Sequence, residues 1–329
     1  MTTATPSPTP TAATFCVDAG GSNTVVRTRR LDGAERTWRT PSCAIASVGE
    51  EGAFAQLRSI LGRVETGLEG QGSLRGCVAS SSFPVAGEAR PPGTLVEAIA
   101  GGGFAGRVYL VNDVVPLLWD DALGDAGLVV NSGTGSVVLG RRADGHLVKL
   151  GGHEHILSDG GSAYALGRRA LRAAVLAADR LGTKTDLEPQ AEAFYGVPVR
   201  ELGRRLAEMA RARQEVARFA PVVTELAAAG DEVARDITIA EAGDLALTAV
   251  EGHRRLALDD TAPVAFSGGV MHGSPYFRGL VARSMQDSGV PAQPVLLSSV
   301  DAALAFADRD GAGANDLVEA MGGLVITVG

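Results

Sequence analysis

Short apolar runs that end at glycine or at small polar residues recur along the first third of the chain. Residues 15–18, 76–80 and 107–111 have this pattern, which predicts buried strands. Apolar positions in the segments 46–68 and 94–99 recur three and four residues apart, which is the spacing of helices. Strands and helices therefore alternate, as they do in an α/β fold.

The second part of the chain begins with the same pattern and then becomes helical. Further strands are predicted at 127–130, 137–139, 263–267, 295–297 and 324–328, helices at 275–287 and 301–307, and a loop at 308–315. The segment 162–258 is rich in Ala, Leu, Arg and Glu at helical spacing, and Pro198, Pro221 and Gly230 interrupt it. This pattern predicts several consecutive helices.

Two strand–loop–strand units resemble each other about 112 residues apart. Val-Asp-Ala-Gly-Gly-Ser at 17–22 matches Val-Asn-Ser-Gly-Thr-Gly at 130–135, with one residue of slippage in the loop. Arg-Arg-Leu-Asp-Gly at 29–33 matches Arg-Arg-Ala-Asp-Gly at 141–145. Internal similarity at this distance predicts two lobes of the same fold.

The length of 329 residues is sufficient for two lobes of ordinary size. We expect a first, smaller lobe at 15–117 and a second, larger lobe at 118–329 with a helical insertion at about 165–258. Residues 1–14 are mostly Thr, Ala, Pro and Ser, without basic residues or an apolar segment, so we expect a disordered tail and not a signal peptide.

Charge and cysteine content exclude several classes of function. The formal net charge of −8 and a pI of about 5.2 argue against binding to nucleic acid, which requires a basic surface. No uncharged run reaches the roughly 18 residues of a membrane span. Cys16, Cys43 and Cys77 have neither disulfide nor zinc spacing, so we expect reduced thiols in the cytoplasm. Cys16 and Cys77 lie in apolar runs and are expected in the core.

The first glycine loop follows Asp18 and offers its backbone amides to an anion. The candidate phosphate-binding residues, here for ATP, are Gly20, Gly21, Ser22, Asn23 and Thr24. Asp18 is a candidate Mg²⁺ ligand, because Mg²⁺ takes one or two carboxylates together with phosphate oxygens. The alternative is an ordinary hairpin turn.

A second glycine loop and a third glycine pair also follow predicted strands. The second loop consists of Gly133, Thr134, Gly135 and Ser136, which could surround the outer phosphates or a substrate hydroxyl. The third segment consists of Gly268, Gly269 and Val270, where the missing side chains leave room for a flat adenine ring. Each segment could equally be a turn at the end of a strand.

Two further segments carry candidate acid–base and substrate-binding groups. Asp113 ends a buried strand and could accept the proton of a substrate hydroxyl, although Asp is also a preferred helix N-cap. His153, Glu154, His155 and Asp159 are expected to face a small polar cavity, and Gly152 is a further candidate substrate-binding residue. The alternatives for that segment are a helix start capped by Ser158 or Asp159, and a zinc site at His153 and His155.

The order of these motifs resembles the BadF/BadG/BcrA/BcrD ATPase family of the actin, hexokinase and Hsp70 superfamily, and within it the N-acetylglucosamine kinase-like members. The similar motifs are residues 17–24, 112–113, 132–136, 158–164 and 267–270. The resemblance implies two RNase H-like lobes with ATP in the cleft between them, Mg²⁺ as cofactor, and a homodimer. It also implies that Asp113 is the catalytic base, and that Asn112, Thr134 and Asp159 lie near the sugar.

Three segments depart from the pattern of the family. Its Gly-Asp-Glu-Gly-Ser reads Ser-Asp-Gly-Gly-Ser at 158–162, so an acidic side chain is missing, and its Gly-Trp-Gly-His reads Gly-His-Glu-His at 152–155. The loop that supplies an Asn to the amino sugar has no Asn at 41–46. These departures bear on the acceptor, since one buried polar contact can change discrimination by orders of magnitude.

The sequence therefore predicts an ATP-dependent kinase for an amino sugar. N-acetylglucosamine is the first candidate acceptor and glucosamine the second, because Glu154 could pair with a free ammonium group. Another sugar or a cyclitol is an alternative. Two other classes stay open: an ATPase activator, which would need cysteines for an iron–sulfur cluster although none follows Cys77, and a non-catalytic sugar or nucleotide sensor.

Overall fold

The computed structural model describes residues 12–83, 85, 93–291, 293–309, 315, 318–320 and 322–328. Its contacts separate into two compact units, one formed by Met1–Leu117 together with Ser299–Gly329 and the other by Leu118–Ser298. The predicted tail up to residue 11 and residues 310–314 of the predicted loop lie outside the described residues. In the described part of the chain, no helix combines the length and the apolar character needed to cross a membrane.

The first unit is built from the N-terminal segment of the chain and a shorter C-terminal segment. In chain order, its elements are β1 (Ala13–Ala19), β2 (Asn23–Arg29), β3 (Glu35–Pro41), α1 (Ile45–Gly67), β4 (Leu74–Ser80), α2 (Gly93–Ala100), β5 (Gly106–Val111) and α3 (Val115–Leu118). The last of these helices ends one residue into the second unit.

The second unit begins with three strands and continues mainly as helices. Its elements are β6 (Gly127–Ser132), β7 (Ser136–Arg141), β8 (Leu147–Gly151), α4 (Glu154–Leu157), α5 (Ala163–Ala178), α6 (Leu187–Tyr195), α7 (Val199–Ala207), α8 (Ala212–Ala217), α9 (Ala220–Ala229), α10 (Glu232–Arg255), β9 (Val264–Ser267), α11 (Gly269–Gly273), α12 (Pro275–Asp287) and β10 (Val295–Leu296). The first unit then resumes with α13 (Ser299–Ala307) and β11 (Leu324–Val328).

The two sheets share one strand arrangement, which explains the sequence repeat. The sheet of the first unit has the order β11-β5-β4-β1-β2-β3, and the sheet of the second unit has the order β10-β9-β6-β7-β8. In each unit, three consecutive strands form an antiparallel meander, and the next strand along the chain pairs in parallel with the first strand of the meander. The chain is therefore an α/β protein with two RNase H-like lobes.

The C-terminal segment packs in the first unit, although its place in the chain predicts that it belongs to the second lobe. Strand β11 pairs antiparallel with β5 at one edge of the first sheet. Helix α13 packs on β1 and β4 of the same sheet. Both contacts bury apolar residues on strands that lie more than 200 residues earlier in the chain, so local sequence patterns do not predict them.

The first sheet is buried on both faces at its centre. Along β1, Phe15 and Val17 belong to the apolar cluster that α1 and α2 complete, whereas Cys16 and Asp18 contact the start of α13. Cys16 and Cys77 are fully buried, as expected from their apolar surroundings. The outer strand β3 is largely exposed and polar, so the hydrophobic pattern did not predict it.

Candidate functional site

In the first unit, the two predicted acidic residues, Asp18 and Asp113, lie at the same end of the parallel strands of the sheet. Strands β1, β4 and β5 are parallel, and their register aligns Asp18 with Ala79 and Ala79 with Val111. Asp113 follows two residues after Val111. The two carboxylates, Asp18 and Asp113, therefore lie at the carboxyl ends of parallel strands, which is where open α/β sheets bind ligands.

Asp18 is a half-buried carboxylate with a partner from the end of the chain. Ser299 Oγ donates a hydrogen bond to Asp18 Oδ2 at 2.6 Å. Burial raises the pKa of the Asp18 carboxyl above its ordinary value, and the hydrogen bond from Ser299 opposes that shift. A desolvated carboxylate of this kind is stabilised by a cation, and a single carboxylate with phosphate oxygens is a normal Mg²⁺ ligand set. Asp18 therefore fits the predicted magnesium role.

The first glycine loop is fixed by hydroxyl groups on its outer side. Ser42 Oγ donates to the carbonyl of Gly20 at 2.8 Å, and Ser47 Oγ donates to the carbonyl of Gly21 at 2.6 Å. A Cβ at Gly20 would lie 3.2 Å from the carbonyl oxygen of Asn23, so close backbone approach favours glycine there. The Thr24 side chain is fully buried and bonded to Cys43, so it supports the loop from within.

Asn112 has a structural role next to Asp113. Its side-chain amide donates to the carbonyl of Phe83 at 2.7 Å, and its Oδ1 accepts from the backbone N–H of Val114 at 3.3 Å. Asn112 therefore supports the turn after β5, and Asp113 is half-buried at that turn. The Asn112 side chain thus bonds the backbone that follows Asp113, and the two predictions for Asp113, catalytic base and helix N-cap, both stay predictions.

In the second unit, the second and third glycine segments meet at one edge of the sheet. Strands β6 and β9 are parallel and pair Asn131 with Ser267. Gly268 has φ +94°, and a Cβ there would lie 2.3 Å from the carbonyl oxygen of Ser132. Glycine is therefore required at 268 by backbone packing as well as by conformation.

The other two residues of the third segment, Gly269 and Val270, have different surroundings. No atom lies within 4 Å of a Cβ built on Gly269, so this position leaves space for a ligand. Val270 is buried in the apolar core of the second unit, because α11 begins at Gly269 and turns that side chain inward. Of the three residues predicted to contact adenine, Gly269 therefore retains the best fit.

The second glycine loop contacts Asp159, a residue that the family resemblance predicts to lie near the sugar. Asp159 is 2% exposed and has φ +68°. Its Oδ1 accepts from the backbone N–H of Ser136 at 3.3 Å, and its Oδ2 pairs with Nη2 of Arg213 at 2.8 Å. A Cβ at Gly135 would lie within 2.9 Å of both members of this pair, so the loop packs directly on it. The structure thus brings the loop 133–136 and Asp159 together.

The loop and the start of α5 are bonded to each other. The backbone N–H groups of Ala163 and Tyr164 donate to the carbonyls of Gly133 and Thr134 at 2.9 and 3.3 Å. Ser162 caps α5, because its Oγ accepts from the N–H of Ala165 at 3.1 Å. The alternative prediction of a helix cap at Ser158 or Asp159 is therefore wrong, because the N-cap of α5 is Ser162.

The remaining residues predicted to face the acceptor lie at the end of β8. Gly152 and His153 are exposed, and the side chain of Glu154 lies outside the described residues. The His155 ring packs edge-on against Tyr164, with ring centroids 4.9 Å apart. Among the residues that the structure describes, no group of three or more His, Cys, Asp or Glu side chains could hold a metal.

Three side chains that contact candidate residues, one in the first unit and two in the second, have no motif of their own in the sequence. Ser299 contacts Asp18, Arg213 contacts Asp159, and Glu241 accepts a hydrogen bond from the backbone N–H of Gly161 at 2.6 Å. Glu241 and Arg213 belong to the predicted helical insertion. For Glu241 the sequence did contain a signal. This glutamate occupies a position on the apolar face of α10, and a buried charge usually has a partner.

Comparison with known proteins agrees with the fold. An N-acetylmuramic acid/N-acetylglucosamine kinase of Clostridium acetobutylicum is 29% identical over 79% of this chain and 86% of its own length. An N-acetyl-D-glucosamine kinase of Dictyostelium discoideum is 24% identical over 88% of this chain and 95% of its own length. A Chromobacterium violaceum structure, provisionally assigned as an N-acetylglucosamine kinase, superposes with a TM-score of 0.69 at 21% identity, covering 91% of this chain and 99% of that one.

The motifs that carry the resemblance extend over most of the chain. Residues 16–295 match the BadF/BadG/BcrA/BcrD ATPase family. This range contains both glycine loops, Asp113, Asp159 and the third glycine segment. The chain therefore belongs to the BadF/BadG/BcrA/BcrD ATPase family.

Proposed function

We propose that this protein is an ATP-dependent kinase that phosphorylates a hydroxyl group of an amino sugar. N-acetylglucosamine is the first candidate acceptor and glucosamine the second. The observation that carries the proposal is the matched pair of glycine loops, which follow the first strand of the same meander in both lobes. The names of the two relatives, both N-acetylglucosamine kinases, support the acceptor class.

The proposed chemistry requires little covalent participation by the protein. Asp113 accepts the proton of the acceptor hydroxyl while the hydroxyl oxygen bonds to the γ-phosphorus and the bond to the bridging oxygen breaks, which releases ADP. The two loops position the phosphates through backbone amides. Mg²⁺, if held by Asp18 directly or through water, would neutralise charge on the phosphates. Gly269 is the position that we assign to the adenine ring.

Asp159 is the residue that we assign to the acceptor, together with Thr134 and the segment from Gly152 to Glu154. A buried carboxylate at Asp159 can accept hydrogen bonds from sugar hydroxyl or amide groups, and such contacts give strong discrimination between acceptors. The fixed pairing of Asp159 with Arg213 presents this carboxylate in one orientation. The same geometry would suit another sugar or a cyclitol, which stays the alternative acceptor class.

The proposal also includes the oligomeric state and the cellular compartment, and it bears on the alternative of an ATPase activator. We expect a homodimer in the cytoplasm, as the family resemblance implies. An iron–sulfur-dependent activator is disfavoured, because Cys16, Cys43 and Cys77 are all buried. Burial raises the pKa of the Cys16 thiol to about 12, so the thiolate that a cluster needs is strongly disfavoured there.

The test is an ADP-release screen with N-acetylglucosamine, glucosamine, N-acetylmuramic acid, glucose and inositol, with the sugar phosphate identified by mass spectrometry. We expect turnover with an amino sugar, and a loss of kcat of about 100-fold or more in Asp113→Asn. Nucleotide binding of that variant, measured by calorimetry, is expected to stay within a few-fold of wild type. Binding of ATP and sugar without ADP release in the wild-type protein would instead support a sensor.

A further inference from the structure

Helix α10 packs tightly against position 160, where the family motif has its acidic side chain. A Cβ on Gly160 would lie 3.1 Å from Cβ of Asp244. A Cβ on Gly161 would lie 2.6 Å from Cβ of Leu245 and 2.8 Å from the carbonyl oxygen of Glu241. The absence of side chains at 160 and 161 therefore allows α10 to pack directly on residues 159–161, which we call the Asp159 turn.

The same helix brings a carboxylate to this turn. Glu241 is 2% exposed, and its Oε2 accepts from the backbone N–H of Gly161 at 2.6 Å. Its Oε1 accepts from Nε of Arg169 at 2.7 Å, and the guanidinium of Arg169 also lies 3.7 Å from Asp244. The cation and the backbone donor both offset the desolvation cost of burying the Glu241 carboxylate.

The Asp159 turn is held on its other side by the sheet. Ser136 Oγ donates to the carbonyl of Gly160 at 2.8 Å, and Ser132 Oγ donates to the carbonyl of Gly161 at 2.6 Å. Asp159 and Gly161 both have positive φ, a conformation that non-glycine residues such as Asp159 adopt at a cost. Several hydrogen bonds must therefore act together to hold the turn, and Glu241 supplies the one from the helical insertion.

We propose that Glu241 is a positioning residue, which holds the Asp159 turn and thereby the Asp159 carboxylate in the orientation that binds the acceptor. The effect passes through Gly161, so Glu241 itself does not contact the acceptor. This inference rests on the proposed function in one respect, namely that Asp159 contacts the acceptor.

Two substitutions of similar volume distinguish the loss of the Glu241 oxygen that accepts the Gly161 hydrogen bond from a change in packing. Glu241→Gln keeps an oxygen for the Gly161 N–H, whereas Glu241→Met fills the same space without one. For the Met variant we expect KM for the sugar to rise tenfold or more while KM for ATP stays within about twofold. The Gln variant should recover most of that loss. Glu251→Ala is the matched control, because Glu251 is on the same helix and pairs with Arg254 and Arg255 away from the turn.

A second readout does not depend on turnover. Hydrogen–deuterium exchange of the peptide that contains the Asp159 turn should become faster in the Met variant and stay near wild type in the Gln and Glu251 variants. If the Met variant does not fold, Arg169→Gln removes the cation at Oε1 and should change the same two quantities in the same direction.

The inference is overturned by unchanged sugar KM in the Met variant, by equal losses for sugar and ATP, or by unchanged exchange at the turn. It is also overturned if Gln fails to restore what Met loses. A wild-type protein that phosphorylates none of the sugars would contradict the proposed function alone, because the exchange comparison would still decide whether Glu241 holds the turn.

Discussion

The ion pair between Asp159 and Arg213 gives the sharpest stability prediction. The Asp159 side chain is 2% exposed and that of Arg213 is 20% exposed, with 2.8 Å between Oδ2 and Nη2. Arg213→Met keeps the volume of the stem and leaves a buried carboxylate without its cation. Removing one partner of a fully buried pair costs about 3–5 kcal/mol. Because Arg213 is partly exposed and water can approach the site, we expect about 2 kcal/mol.

The two other corners of a double-mutant cycle follow from the same geometry. Asp159→Asn removes the buried charge and leaves Arg213 partly in water, so we expect a smaller loss of about 1 kcal/mol. The double variant should be about as stable as the worse single variant or better, because no unpaired buried charge remains. The cycle would then give a coupling energy of about 1 kcal/mol or more, which is typical of residues in contact.

Thermal and urea unfolding of the three variants and the wild type measure these quantities. A loss of about 2 kcal/mol corresponds to a decrease in Tm of about 4–8 °C for a lobe of this size. Arg200→Met is the control, since Arg200 pairs with Asp179 at the surface of the same insertion and should change stability by less than about 1 kcal/mol. Additive single losses, or an Arg213 variant as stable as the control, would refute the reasoning.

Two further predictions concern backbone packing and pH. Gly268→Ala should lower the free energy of unfolding of the second unit by about 3 kcal/mol or more, because its Cβ would lie 2.3 Å from the backbone carbonyl of Ser132 and φ is +94°. Gly269→Ala is the control: among the described residues, no atom outside its own helix and its chain neighbours lies within 4 Å of its Cβ, so its stability in urea unfolding should be nearly that of wild type. Burial raises the pKa of Glu241 above its ordinary value of 4.5, against the opposing effects of Gly161 and Arg169. The folded state thus favours the protonated form, and stability present below pH 4.5 is lost as pH rises through the folded pKa. The free energy of unfolding of Glu241→Gln relative to wild type should therefore rise between pH 4 and pH 8, and a flat difference would contradict this.

The strands and glycine loops could be predicted because their signals are local. The apolar run at 15–18 and the following glycines lie within a few residues of one another, and the matching unit at 130–135 has the same local pattern. The structure confirms the repeat and extends it, because both units continue into a third antiparallel strand. Strand β3 escaped prediction since its residues are mostly polar and exposed, so hydrophobic periodicity carries no information there.

The partners of the candidate site residues could not be predicted, because they are distant along the chain. Ser299 is 281 residues from Asp18, Glu241 is 80 residues from Gly161, and Arg213 is 54 residues from Asp159. A serine or a glutamate in a helix has many surface roles, and only the tertiary contact distinguishes a supporting residue from an ordinary one. The sequence therefore predicts which groups carry the chemistry better than it predicts what holds them.

The departure from the family motif at residue 160 illustrates the consequence for function. From the motif alone, glycine in place of glutamate reads as a lost acid and a weakened acceptor site. In the structure, α10 packs closely on this segment: a Cβ at 160 would lie 3.1 Å from Cβ of Asp244, and the same helix brings Glu241 to Gly161. The turn is thereby bonded to a carboxylate from the helical insertion. Since Arg213 also comes from that insertion, the proposed acceptor role of Asp159 leads us to expect that changes in these helices alter acceptor selectivity without any change in the motif itself.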